Sequence, residues 1–130
     1  MIMEQMPKVS VCILTYNPQK EKLLETLESI VRQKYGNLQI ILSDDGSEEN
    51  YFGEAKKFLD CSGVADYKLI EAPANQGTVK NVEQALLAAD GIFIKAISPG
   101  DYLTGDTILS DWINHLMDSG RRWSFSNAIY

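Results

Sequence analysis

Asp44 and Asp45 stand side by side between an apolar run, Ile40-Ile41-Leu42, and Gly46-Ser47. An ionised carboxylate only accepts hydrogen bonds, so such a pair selects donors: a ring N–H of a nucleobase, a sugar hydroxyl, or a backbone amide. The plain alternative is turn-making, since Asp before Gly is common in turns and caps. Other groups of the same type recur along the chain. Thr15 and Tyr16 follow the apolar run Val9 to Leu14 and offer a hydroxyl and a flat ring, a surface on which a base can lie. Asn75-Gln76-Gly77, with Lys80 and Asn81 behind it, would place backbone N–H groups and one cation near a diphosphate, or would simply start a helix. Asp101 closes Ser98-Pro99-Gly100-Asp101, a turn sequence that could also offer a metal ligand or a ribose contact. Lys95 interrupts an apolar run, and it reads as a side chain snorkelling to the sheet edge, with a countercharge role as the lesser reading. His115 falls late in a helix, where interaction with the helix C-terminus is the simpler reading.

The elements that must carry these groups follow from periodicity. Val9–Leu14, a run from about Leu38 into Asp44, Tyr67–Glu71 and Ile92–Ile97 are short and apolar, as buried parallel strands are. A helix is expected after Asn17, with Asn17 as N-cap, Pro18 in its first turn, and Leu23, Leu24, Leu27, Ile30 and Val31 on one face. A second is expected from Glu48 to about Asp60, capped by Ser47, with Phe52, Ala55 and Leu59 inward and Gly53 weakening it. A third would bury Val79, Val82, Leu86 and Ala89, and a fourth, from about Asp106 to Met117, would bury Ile108, Leu109, Trp112, Ile113 and Leu116. Trp123 to Ser126 reads as the start of a fifth strand. This β-α alternation predicts a doubly wound α/β fold: a mostly parallel open sheet, helices on both faces, right-handed crossovers. Thr15 to Asn17, Asp44 to Ser47 and Ser98 to Asp101 then meet at the carboxyl edge of the sheet, where such folds bind ligands.

Composition narrows the function. The 130 residues suffice for one domain, and 45% hydrophobic with 23% charged residues is ordinary for a globular chain. A net charge of −6 argues against nucleic acid or an anionic membrane as the main partner. The two cysteines, Cys12 and Cys61, form no C-x-x-C pair, which disfavours a disulfide scaffold or zinc site and favours a reducing compartment. The N-terminal residues do not read as a signal peptide, and no stretch of about 18 apolar residues is present. A cytoplasmic location is expected, with attachment of a full-length parent to the inner face of a membrane left open.

Taken in order, these motifs resemble family 2 glycosyltransferases of the GT-A fold. The first strand through Thr15-Tyr16-Asn17, then Ser43-Asp44-Asp45-Gly46-Ser47, Asn75-Gln76-Gly77, Lys80-Asn81 and Ala89-Asp90-Gly91-Ile92-Phe93-Ile94 carry the resemblance, which covers about Pro7 to Tyr130. It implies a GT-A, Rossmann-like domain and transfer, with inversion, of a sugar from a nucleotide-diphosphate donor, often a UDP-sugar, to a saccharide or lipid-linked acceptor in glycan synthesis. By the same resemblance Thr15 and Tyr16 flank the base, Asn17 belongs to the nucleotide site, Asp45 takes the base's ring N–H with Asp44 close by, and Lys80 lies near the diphosphate. Asp101 becomes the ligand of Mg²⁺ or Mn²⁺. Here the chain departs from the family, whose turn is usually Asp-x-Asp or Asp-x-Asp-Asp: Gly100 takes the usual metal-binding place and Asp101 the last. The acceptor-binding half and the general base are expected beyond residue 130. The chain therefore reads as the donor-binding part, inactive in transfer alone, with no catalytic base assigned. Two rivals remain. A non-catalytic nucleotide-binding or interaction module of the same fold would keep the architecture without the chemistry. A signalling receiver domain would instead place its acid pair after the first strand.

Overall fold

A computed structural model of the chain describes residues 6–124. Four strands, β1 (Val9–Thr15), β2 (Leu38–Asp44), β3 (Tyr67–Glu71) and β4 (Phe93–Ile97), alternate with α1 (Lys20–Val31), α2 (Phe52–Cys61), α3 (Thr78–Ala88) and α4 (Ile108–Ser119). The sheet is parallel throughout, in the order β3-β2-β1-β4. The expected fifth strand falls largely outside the described residues, and Trp123 and Ser124 are not in a strand.

Handedness decides which face each helix covers. The crossovers through α1 and α2 both step from β1 towards β3. The crossover through α3 returns past β1 to β4, in the opposite direction, so the same right-handed rule puts α3 on the opposite face. The side chains agree. Val9, Val11, Ile13, Ile40 and Leu42 point into the main core with Leu23, Leu27 and Ile30 of α1, Phe52, Ala55 and Leu59 of α2, and Leu109, Ile113 and Leu116 of α4. Cys12 and Ile41, one residue out of phase, meet Ala85 of α3 on the other side. Each fully buried Leu or Ile contributes roughly 1.5–3 kcal/mol, so the larger cluster dominates stability. Gln33, buried just after α1, ties α4 down: its amide donates to Gly105 O, and its carbonyl oxygen accepts the Leu109 N–H at 3.1 Å.

Three expectations need correction. The inward face of α3 is Asn81 and Ala85, while Val79 and Leu86 are exposed. The contact ridge is narrow and its principal anchor is polar, so apolar periodicity missed that anchor, although Ala89 packs against the same cluster and Val82 is half-buried. α1 begins at Lys20 with Gln19, not Asn17, at its N-cap, because Asn17 is left-handed (φ 46°) and its side-chain oxygen accepts the Glu48 N–H. α2 begins at Phe52, not Glu48. Its first amide is accepted by Asn50 Oδ1 at 3.0 Å, and the Ser47 side chain is used elsewhere.

The two free thiols differ sharply. Burial pushes the Cys12 thiol up to about 11, whereas Cys61 is exposed. A raised thiol pKa means less thiolate at any given pH, so a thiolate-directed reagent at pH 8 should modify Cys61 quickly and Cys12 only after unfolding. Two fast equivalents of labelling in the native protein would contradict this packing of α3 on β1 and β2.

Candidate functional site at the carboxyl edge of the sheet

The sheet order changes direction beside β1: the chain winds outward to β2 and β3, then returns to β4 on the other flank. The loops after β1 and β4 lead to α1 and α4 on one face, while the loop after β3 leads to α3 on the other, so the rim is bounded from both faces. Thr15 to Asn17 leaves β1, Asp44 to Ser47 leaves β2, Ala72 to Gly77 leaves β3, and Ser98 to Asp101 leaves β4. All four segments stand at one rim. The structure brings Thr15, Tyr16, Asn17, Asp44, Asp45 and Asp101 there, with Lys80 on the first turn of α3.

Within the rim the two acids do different work. Asp44 is 1% exposed, and its carboxylate accepts three hydrogen bonds: from Thr15 Oγ1 at 2.7 Å, Ser47 N at 2.8 Å and Ser47 Oγ at 2.6 Å. Asp45, 4% exposed, accepts from Gln76 N at 2.7 Å, Gly77 N at 3.0 Å and Asn75 Nδ2 at 3.0 Å. Neither acid has an ion-pair partner among the described residues. A carboxylate offers about four acceptor positions. Each acid thus keeps about one free, on Oδ2 of Asp44 and Oδ1 of Asp45, beside oxygens that already hold the protein together.

The remaining rim residues divide into struts and surfaces. Thr15 is buried; its hydroxyl proton goes to Asp44, and its carbonyl accepts from Asp45 N at 3.0 Å and Asn81 Nδ2 at 3.3 Å. Asn17 bridges the first two loops, its N–H donating to Ser47 Oγ at 2.6 Å. Tyr16 is 54% exposed, a ring face presented to solvent beside these struts. Lys80 is exposed and pairs with Glu83 at 3.4 Å. Asn81, which periodicity did not single out as buried, is a keystone: Ser43 Oγ donates to its Oδ1 at 2.7 Å, and its own N–H donates to Gly77 O at 3.1 Å. The signal available in the sequence was its position one turn after Gly77, where a helix passes the strand ends.

Asp101 is exposed at the β4 turn. Its N–H donates to Ser98 O, and its carbonyl accepts from Thr26 Oγ1. Among the described residues no group of three or more His, Cys, Asp or Glu side chains could hold a metal ion. The residues fit a divalent ion only as a one-carboxylate site completed by substrate phosphates and water, an arrangement Mg²⁺ accepts. Lys95 extends from β4 to Trp112 of α4, its ammonium 5.1 Å from the ring centroid; burial pushes its pKa down, and Asp101 partly restores it. Two hollows lie elsewhere. One of about 450 Å³ is bounded by Val9, Phe93, Lys95, Trp112 and Trp123, at the start of the strands, and carries none of the rim's convergent acceptors and donors. Polar chemistry selects the rim.

Two substitutions test the struts. Thr15→Val removes the hydroxyl but keeps the shape, leaving a buried carboxylate short of one donor; it should cost about 1–3 kcal/mol in urea unfolding. Gly46 has φ 74°, and a Cβ there would sit 2.4 Å from Ala74 C and 2.5 Å from Asn75 N. Gly46→Ala should therefore lower the melting temperature and shift the amide resonances of residues 74–77. An unchanged melting temperature in both variants would show that the rim is not held this way.

The relatives agree with this architecture. The family described as "Glycosyl transferase family 2" matches residues 10–97. EpsE of Bacillus subtilis is 35% identical over 102 residues, a match that covers 75% of this chain and 34% of that protein. Among solved structures, the mannosyltransferase PcManGT of Pyrobaculum calidifontis, in complex with GDP-Man and Mn²⁺, superposes with a TM-score of 0.79 at 20% identity, covering 85% of this chain and 32% of the other. Residues 1–349 of TarS of S. aureus, in complex with UDP-GlcNAc, superpose with a TM-score of 0.75 at 24% identity, covering 85% and 31%. The chain thus spans about a third of each of these proteins. From the ordered motifs, the parallel sheet with its switch beside β1, and a family match over most of the described strands, this chain belongs to glycosyl transferase family 2.

Proposed function

We propose that this chain is the donor-binding part of an inverting glycosyltransferase that takes a UDP-sugar and delivers its sugar to a saccharide or lipid-linked acceptor, on the cytoplasmic side, in polysaccharide synthesis. The observation that carries the reading is the rim itself: an exposed tyrosine beside two buried carboxylates, each with a spare acceptor position. A uracil ring resting on Tyr16 would bring its N–H towards Oδ1 of Asp45. Stacking of a base on an aromatic ring contributes about 1–3 kcal/mol. The acceptor-only chemistry of the carboxylate then favours a base that presents a ring N–H. Thr15 and Asn17 act by holding Asp44 and the second loop in place. The diphosphate would run from the base towards the β4 turn, with Lys80 supplying positive charge and Asp101 holding Mg²⁺ or Mn²⁺. A bound ion there would neutralise the leaving diphosphate as the bond to the sugar breaks.

The non-catalytic alternative is favoured by one feature, the glycine at position 100 and the single carboxylate it leaves on that turn. Both readings share the nucleotide site, and they part on transfer by a full-length parent.

Calorimetry with UDP tests the site. The chain should bind UDP weakly and better with Mn²⁺, and Tyr16→Ala should weaken binding by about 5- to 100-fold, the equivalent of losing one stacked base. Asp45→Ala should weaken it as well, with loss of the preference for UDP over CDP, whose base lacks that ring N–H. Binding of UDP that Tyr16→Ala and Asp45→Ala leave unaltered would overturn the reading.

A further inference from the structure

We propose that Lys22 is a phosphate-binding residue of this site and supplies part of the positive charge that the turn at Gly100 and Asp101 lacks. This rests on the nucleotide-diphosphate reading above.

Lys22 lies on the first turn of α1, the helix that starts at the rim directly after β1. One turn further along α1, Thr26 fixes the β4 loop: its hydroxyl donates to Asp101 O at 2.6 Å and accepts the Gly100 N–H at 3.2 Å. These two bonds hold α1 against the loop, one turn from Lys22. The Lys22 stem lies beside Gly100, its Cδ 3.5 Å from where a Cβ on Gly100 would sit, an ordinary van der Waals contact. Gly100 has φ 100°, a conformation that L side chains rarely adopt, so the lysine's place there is not contested by any ordinary residue. Lys22 forms none of the ion pairs among the described residues, whereas Lys80 is paired with Glu83. Lys22 is exposed. An exposed, unpaired ammonium with three donors, beside the N-terminal end of α1, suits a phosphate group. No carboxylate stands with Asp101 on this turn, so a cation from α1 meets an anionic ligand without first having to leave an acid.

The charge on the ligand is the variable to test, so uridine and UDP are compared by calorimetry in EDTA and again in Mn²⁺. Lys22→Met should weaken UDP binding in EDTA by about 10- to 150-fold, the range for losing one hydrogen bond to a charged group. Uridine binding should be unchanged, because only the phosphates are addressed. The loss should be smaller in Mn²⁺, where the ion shares the load. Lys22→Arg should retain most of the affinity. Lys57→Met, which removes the same unit of charge from the exposed side of α2, should leave both ligands unaffected. Equal UDP affinity in Lys22→Met and the wild-type chain, with uridine and UDP both bound, would overturn the role of Lys22 alone. Failure of the wild-type chain to bind either ligand would overturn the site and Lys22 with it. An equal loss from Lys57→Met would reduce the effect to long-range charge and also overturn the proposal.

Discussion

Two carboxylates buried without a cation are the constraint around which this fold is arranged. Burying an ionised acid costs several kcal/mol unless its oxygens are satisfied. Asp44 and Asp45 meet that cost with three hydrogen bonds each, drawn from Thr15, Ser47, Asn75, Gln76 and Gly77. The donors come from three different strand-ending segments, so satisfying the acids fixes β1, β2 and the loop after β3 relative to one another. Asn81 closes the circle by joining α3 to Thr15 O and to Ser43. No buried side-chain polar atom among the described residues lacks a partner, as an interior built this way requires.

A rim made rigid by its own acids is suited to binding. The groups are held before a ligand arrives, so less order has to be imposed on association. The same acids also set a limit. Most of their acceptor capacity is spent on the protein, so a base that uses the remaining lone pair is read by position as much as by charge. The opposite edge of the sheet is built on ion pairs instead. Lys8 pairs with Asp66 at 2.6 Å, and Lys68 with Asp90 at 3.5 Å, around the Gln39 amide, which donates to both acids. Those exposed pairs anchor the start of β4.

Much of this was legible from residue order. The four strands and the faces of α1, α2 and α4 follow from apolar spacing because each packs apolar side chains into the main core. The convergence of Thr15, Asp44 and Asp101 at one rim follows from parallel topology. What escaped was set by polar contacts distant in sequence. Ser47 looks like a helix cap, and its hydroxyl instead serves Asp44. Asn17 also looks like a cap, and a left-handed backbone turns it towards Glu48. α3 deceived because Asn81, satisfied from β1 and β2, occupies the buried seam, while Val79 at 81% and Leu87 at 82% exposure lie outside it. Periodicity counts apolar side chains and has no means of seeing a buried amide whose partners lie 38 and 66 residues away.

The central claim is that one rim, organised by Asp44 and Asp45, receives a nucleotide. A ¹⁵N-resolved NMR titration of the chain with UDP tests it most directly. Perturbed amides should cluster at Tyr16 and Asn17, Asp45 to Ser47, Asn75 to Gly77 and Gly100 to Asp101, with α4 unaffected. Perturbations confined to Trp112, His115 and residues 121–124, around the hollows at the start of the strands, would contradict the account.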